Sequence, residues 1–207
     1  MGEPDDTITP TNDMNPWRAG CSESCTSGSE GGPQKPTHRK MGRALRPDPY
    51  TYIPTGEGWL FVASVLDVCT RLIVGWSIAD HLRTELCTDA MAAAAATRGR
   101  RSFAGTVFHS DHGCQYTSAE FKACCERMGI VQSMGTVGDS YDNAMAESLW
   151  SSLKRELVDD AYFATKEEAR LAIFEWIAWY NTERLHSSLD YMSPREYEEF
   201  WQDQQAA

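Results

Sequence analysis

The sequence predicts an α/β fold, a sheet with helices packed on its faces, and three observations point there. Nearly continuous apolar runs at 58–67 and 70–80 read as neighbouring strands. Helical and strand-like stretches then alternate in the order helix, strand, helix, strand, helix. A hydrophobic content of 42% over 207 residues is enough to build a buried core. No run approaches the roughly 18 apolar residues of a membrane span. The N-terminal MGEPDDTITP also lacks the basic start and apolar middle of a signal peptide, so a cytoplasmic protein without a membrane partner is expected.

Each element follows from its residues. Residues 1–49 are rich in Gly, Ser, Pro and Thr and almost free of aliphatic side chains, which predicts disorder, since too little apolar surface is present to offset the entropy of ordering. Within them HRKMGRALR is a small basic run, either a solvated tail or a nucleic-acid contact. TYIPTGEG, punctuated by Pro54, Gly56 and Gly58, predicts a turn leading into the first long strand. GWLFVASVLD and TRLIVGWSIAD are joined by a short turn over Val68 to Arg71. The alanine run of RTELCTDAMAAAAATRGR predicts a helix of about fourteen residues that stops at Gly99.

SFAGTVFHSD is a further strand, with Thr106, Val107 and Phe108 suited to burial. TSAEFKACCERMG predicts a helix with a Thr or Ser cap, Glu120 in the capping-box position relative to Thr117, and a stop at Gly129. IVQSM is a short strand and GTVGDSYDN a loop. AMAESLWSSLKRELV is an amphipathic helix with Met145, Leu149, Leu153 and Leu157 recurring at spacing four. KEEARLAIFEWIAWYNTERL and SPREYEEFW are two more helical stretches, and no internal repeat occurs.

The net charge of -11 is unfavourable for a surface that meets DNA phosphates. The acid excess lies at the two ends, however: residues 156–207 carry twelve acids against four bases, whereas 36–155 carry twelve acids and thirteen bases. A local basic patch is therefore compatible with the total. Seven cysteines, an odd number without a repeated CxxC pairing, support neither a disulfide framework nor a zinc module, even though Cys21 and Cys25 stand close together.

Two carboxylates stand out. Asp111 follows the strand VFHS, and the carboxyl ends of strands in open α/β sheets are where functional groups are displayed. Asp before a Gly two residues on is also ordinary turn chemistry. Glu147 falls in the first turns of a helix. A strand-end acid and a helix acid can converge above a sheet edge and hold a hard divalent cation, and a pair of such ions stabilises both the attacking and the leaving oxygens of a phosphodiester. On spacing alone Glu147 reads first as part of a solvated helix face. Asp139, Asp142 and Asn143 read as a polar loop and an N-cap. Lys154 and Arg155 lie near the side that could face phosphate, or are plain surface charge.

HSDHGCQYTS, GDSYDNAMAESLWSSLKRE and YNTERLHSSLDYMSP, in that order, resemble the successive signatures of insertion-sequence transposases with a DDE integrase core, relatives of the retroviral integrases. YIPTGEGWLFVASVLDVCTRLIVGWSIADH resembles the first strands of that family. Thirty-five residues lie between Asp111 and Glu147, the separation the family uses between its second and third catalytic acids. The resemblance covers roughly Thr51 to Glu199. It implies a ribonuclease H-like mixed sheet flanked by helices, with the catalytic core at 50–160 and a helical extension at 161–207. It further implies DNA strand cleavage and strand transfer with Mg²⁺ or Mn²⁺, Asp111 and Glu147 being the catalytic metal ligands. Gly113 would permit the turn, and Gln115 and Tyr116 would lie near the substrate. DNA, as transposon ends and target, is the implied partner, with a homo-oligomer assembled on it. Asn181, Arg184 and His186 would contact DNA or a partner subunit, or be purely structural.

The first acid departs from the pattern. The family places it two residues before the Thr of a Thr-Tyr-Ile-Pro-Thr-like stretch, where RPDPYTYIPT has Pro49, and Asp48 stands one residue early. A slip of one residue turns a strand side chain to the opposite face, and Pro49 removes a ladder donor. A bulge would bring Asp48 back into reach, which makes it a third candidate catalytic and metal-binding residue. Upstream of Asp48 the resemblance stops. Two readings follow: an active transposase core, or an inactive truncated or frame-shifted remnant that retains nucleic-acid or subunit binding. A generic ribonuclease H-like nuclease would leave YNTERLHSSL without a use.

Overall fold

The computed structural model describes residues 50–99, 103–134, 144–159 and 161–206. The expectations for 1–49, Asp48 among them, and for Asp139, Asp142 and Asn143 lie outside the described residues.

Strands β1 (Tyr50–Thr55), β2 (Gly58–Leu66) and β3 (Ile73–Ala79) form an antiparallel sheet in the order β1-β2-β3. TYIPT is thus a strand, where its punctuation had predicted a turn. Its side chains alternate as a half-buried strand requires: Thr51 and Ile53 are buried while Tyr52 and Pro54 are exposed. Among the described residues β1 has β2 as its one strand partner, and a strand with an unpaired side tolerates a residue lacking an N–H. The turn itself shrinks to Gly56 and Glu57, where Thr55 Oγ1 donates to the Gly58 carbonyl at 2.7 Å and accepts from the Glu57 N–H at 3.2 Å.

Between β2 and β3 the chain turns on Asp67. Its Oδ1 accepts the N–H groups of Cys69 at 2.9 Å and Thr70 at 3.2 Å. Its Oδ2 meets Arg98 Nη2 at 3.0 Å, and Arg98 Nη1 pairs with Glu198. Helix α1 (Thr84–Thr97), of fourteen residues, lies flat on this sheet. Gly75 is the reason it can: a Cβ there would stand 2.3 Å from the Ala90 carbonyl oxygen and 2.4 Å from the Ala94 nitrogen.

Strand β4 (Val107–Ser110) pairs in parallel with β5 (Val131–Met134), through the crossover helix α2 (Ala119–Met128) that a parallel pair demands. Phe108 packs with Tyr116 and Phe121, ring centroids 5.8 and 5.4 Å away. Val107 was expected in the core but is 60% exposed, because strand alternation sends Phe108 inward and Val107 with His109 outward. The cap of α2 is Ser118, whose Oγ accepts from the Phe121 N–H at 3.1 Å. Ser118 is thus the cap of the two residues expected, and the capping-box register from Thr117 to Glu120 is not used, Thr117 donating its hydroxyl to the Gly113 carbonyl at 3.2 Å. Gly129 ends α2 at φ 73°, as its position predicts.

Helix α3 (Ala144–Leu153) passes directly into a five-residue π turn, Lys154–Val158, where the sequence had suggested one uninterrupted α-helix. Helix α4 (Lys166–Thr182) begins with a complete capping box between Thr165 and Glu168. Helix α5 (Pro194–Ala206) follows a 3-10 turn at Ser187–Leu189. The main core joins the sheet to α3 and α4: Ile53, Leu60 and Val62 of the strands meet Leu149 and Leu153 of α3, and Ala169, Ile173 and Ile177 of α4. Among the described residues no helix is long and apolar enough to cross a membrane.

Leu153 is fully buried in that core. Leu153→Ala is expected to lower the unfolding free energy by about 2–5 kcal/mol, read as a reduced urea midpoint with an unchanged m-value.

Candidate active site

Asp111 directly follows β4, and the loop from it to α2 is tied by side-chain and backbone hydrogen bonds together. Asp111 Oδ1 accepts the Gly113 N–H at 2.8 Å, and the Gly113 carbonyl accepts the N–H groups of Tyr116 at 3.0 Å and Thr117 at 3.1 Å. The carboxylate is therefore held at the strand end by a local Asx turn. Gly113 is needed for space rather than for an unusual backbone angle, since it is not among the glycines of positive φ. A Cβ on it would stand 2.9 Å from Asp111 Oδ1, 3.5 Å from Gln115 Oε1 and 3.6 Å from Tyr116 Cδ2.

The floor of this loop is buried. Tyr116 is 2% exposed and shares a hydrogen bond with Cys87 of α1. Burial pushes the Cys87 thiol up to about 11, and burial followed by Cys87 and Asp111 raises the Tyr116 hydroxyl as well, so both stay protonated at neutral pH. Asp111 thus rests on neutral groups. Cys87 carried no distinguishing signal in the sequence beyond its place in an alanine-rich helix, since only the fold brings it beneath the loop.

Glu147 stands in the first turn of α3, where the helix dipole favours an acid. Leu149, Trp150 and Leu153 of the same helix are buried, which fixes its rotation about its axis. Glu147 Oε1 is shut off from solvent and has no hydrogen-bond partner. A buried carboxylate oxygen left so is costly, and a water, a proton or a hard cation would each satisfy it. Thr51 Oγ1 on β1 and Gln115 Oε1 are also buried without a partner. Among the described residues no three His, Cys, Asp or Glu side chains converge to hold a metal ion, and Asp48 lies outside them.

The remaining candidates occupy a second region. Lys154 places its ammonium 5.0 Å from the centre of the Tyr52 ring, and Arg155 is exposed on the π turn. Asn181 is engaged within the fold: its Oδ1 accepts the Ile73 N–H at 2.9 Å and its Nδ2 donates to the Ile73 carbonyl at 3.0 Å, tying α4 to the start of β3. Arg184 donates to both Glu156 carboxylate oxygens, at 2.9 Å from Nη2 to Oε1 and 3.2 Å from Nε to Oε2, and lies over the Tyr180 ring. His186 packs edge-on against Tyr180 with ring centroids 5.0 Å apart. Burial first, then the charges of Arg184 and Arg71, push the His186 imidazole down to about 4.

Two family models, each described as an integrase core domain, match residues 48–140 and 128–194. The chain belongs to the integrase core family. Its relatives include the transposase for insertion sequence element IS904 of Lactococcus lactis, 43% identical over 151 residues, which cover 72% of this chain and 59% of the relative. The transposase for IS629 of Shigella sonnei is 38% identical over 75% of this chain and 53% of its own length. Transposase InsF for IS3A of Escherichia coli is 37% identical over 72% and 51%. The chain thus spans 51 to 59% of the length of these relatives.

The same fold occurs in an intasome of simian T-cell lymphotropic virus in complex with a PP2A regulatory subunit, B56 gamma. There the TM-score is 0.58 at 15% identity, over 80% of this chain and 60% of that one. It occurs also in the catalytic core domain of BIV integrase, with a TM-score of 0.51 at 17% identity over 75% and 95%. The integrase core is therefore ribonuclease H-like in fold, as the motifs implied, with an antiparallel three-strand part and a parallel two-strand part supplying its mixed strands.

His186 sets a pH dependence. Its folded value of about 4 lies below the ordinary 6.5, so in that window the unfolded chain binds a proton that the folded integrase core refuses. Stability contributed by the neutral ring is present above 6.5 and lost as the pH falls toward 4. Chemical denaturation at stepped pH is expected to show a steeper acid-side loss for the parent chain than for His186→Gln.

Proposed function

We propose that this integrase core cuts and joins DNA strands in transposition by metal-dependent phosphoryl transfer, with Asp111 and Glu147 as the carboxylates that hold the divalent ion, Mg²⁺ or Mn²⁺. The observation that carries the reading is the orphaned, buried Glu147 Oε1 in a chain of this family. A strand-end acid and a first-turn helix acid supply the hard oxygen donors such ions take. When bound, the ion would stabilise charge on the attacking and leaving oxygens. Asp111 is fixed by its own turn and Glu147 by the packing of α3, so both donors are positioned before substrate arrives. Asp48 is proposed as a third ligand, reached through a bulge since it stands one residue before the family's place for the first acid. DNA, as transposon ends and target, is the proposed substrate, bound with further copies of the chain.

Lys154 and Arg155 are proposed to meet the phosphate backbone. Asn181, Arg184 and His186 are proposed to act behind that surface, since their polar groups already serve β3, Glu156 and Tyr180.

Strand cleavage and joining of labelled DNA ends, with Mg²⁺ or Mn²⁺, tests the assignment. Asp111→Asn and Glu147→Gln are each expected to abolish both steps with an unchanged circular dichroism spectrum, and undiminished turnover in either would refute the role given to it. Asp48→Asn is read the same way. Lys154→Ala and Arg155→Ala are expected to weaken binding to all DNA sequences alike, each lowering the slope of log affinity against log salt by about 1.

A further inference from the structure

We infer that Gln115 is a positioning residue for the ion, its Oε1 orienting a water between itself and Asp111; the inference rests on the metal-binding role proposed for Asp111. Gln115 is 4% exposed, and its Nε2 donates to the Leu82 carbonyl at 3.3 Å. A carbonyl can only accept, so this bond fixes which end of the amide is nitrogen and turns Oε1 the other way. Oε1 is buried there and has no partner. An amide oxygen stranded in the interior is costly, and such groups are retained where a ligand or water completes them.

The geometry of Gly113 shows what it faces. The place a Cβ would take is 2.9 Å from Asp111 Oδ1 and 3.5 Å from Gln115 Oε1, so the two oxygens close on the same side of Gly113. Both are acceptors. A water between them gives both its hydrogens to the protein and keeps its oxygen lone pairs for a cation. Mg²⁺ retains several of its waters, and a fixed acceptor that orients one of them acts on the ion without touching it. Neither Asp111 alone nor Gln115 alone orients a water in this way.

The test uses Mn²⁺ alone, titrated into the full chain by calorimetry, with water-proton relaxation reporting the hydration of the bound ion. Gln115→Met, similar in shape but without an oxygen, is expected to weaken Mn²⁺ binding about 10- to 100-fold. Gln115→Glu keeps an oxygen at that place but cannot donate to Leu82, and is expected to restore most of the affinity. Thermal melts show which variants are folded. Equal losses in Gln115→Met and Gln115→Glu would reduce the residue to its tie with Leu82 and overturn the inference. Parent-like binding in Gln115→Met, beside lost binding in Asp111→Asn, would overturn it while leaving the ion site standing. Parent-like binding in Asp111→Asn would remove the ion site and the inference together.

Discussion

The packing of α3 and α4 against one face of the antiparallel sheet is the constraint on which the rest depends. Leu153 and Ile173, fully buried, meet Ile53, Leu60 and Val62 there, and burying each such side chain contributes about 1.5–3 kcal/mol. The same contacts set the rotation of α3, and so the direction in which Glu147 projects. They also make α4 a wall of the core, although its sequence lies well beyond the strands it covers. A helix that merely formed, without this seam, would carry the acid but would not aim it.

The two acids proposed for the chemistry are held in different ways. Asp111 depends on its own turn: its carboxylate caps Gly113, and the buried, uncharged Tyr116 and Cys87 lie beneath. Glu147 depends on long-range packing, since nothing local binds its Oε1. One donor is thus set by a few consecutive residues and the other by the whole helix-on-sheet arrangement.

The cationic side chains divide in the same manner. Arg98 joins Asp67 and Glu198, linking the β2–β3 turn, the end of α1 and α5, while Arg184 joins Glu156 and covers Tyr180. These guanidinium groups neutralise carboxylates inside the fold and are poorly placed to attract phosphate. With a net charge of -11, the proposed DNA-binding face would draw its attraction from a few local groups, for which Lys154 and Arg155 are the proposed ones.

Much of this was legible in the order of the residues. Apolar runs bounded by turns located β2 and β3, the alanine run gave α1 its length, and Gly129 marked the end of α2, because those signals are local and act within a few positions. The Asp111 and Glu147 candidates came from strand-end and first-turn placement together with the motifs around them. What local reading could not supply was anything set by a neighbour distant in sequence. β1 is a strand because β2 lies beside it, despite Pro54 and two nearby glycines. Val107 faces outward because Phe108 is claimed by Tyr116 and Phe121. The sequence by itself determined most of the elements, the class of fold and the acids available, but neither β1 nor the π turn after α3. The tertiary structure alone decided which oxygens are buried without a partner and that Gly113 answers a close approach of side chains rather than a hinge, because both depend on what packs around a residue and not on its own segment.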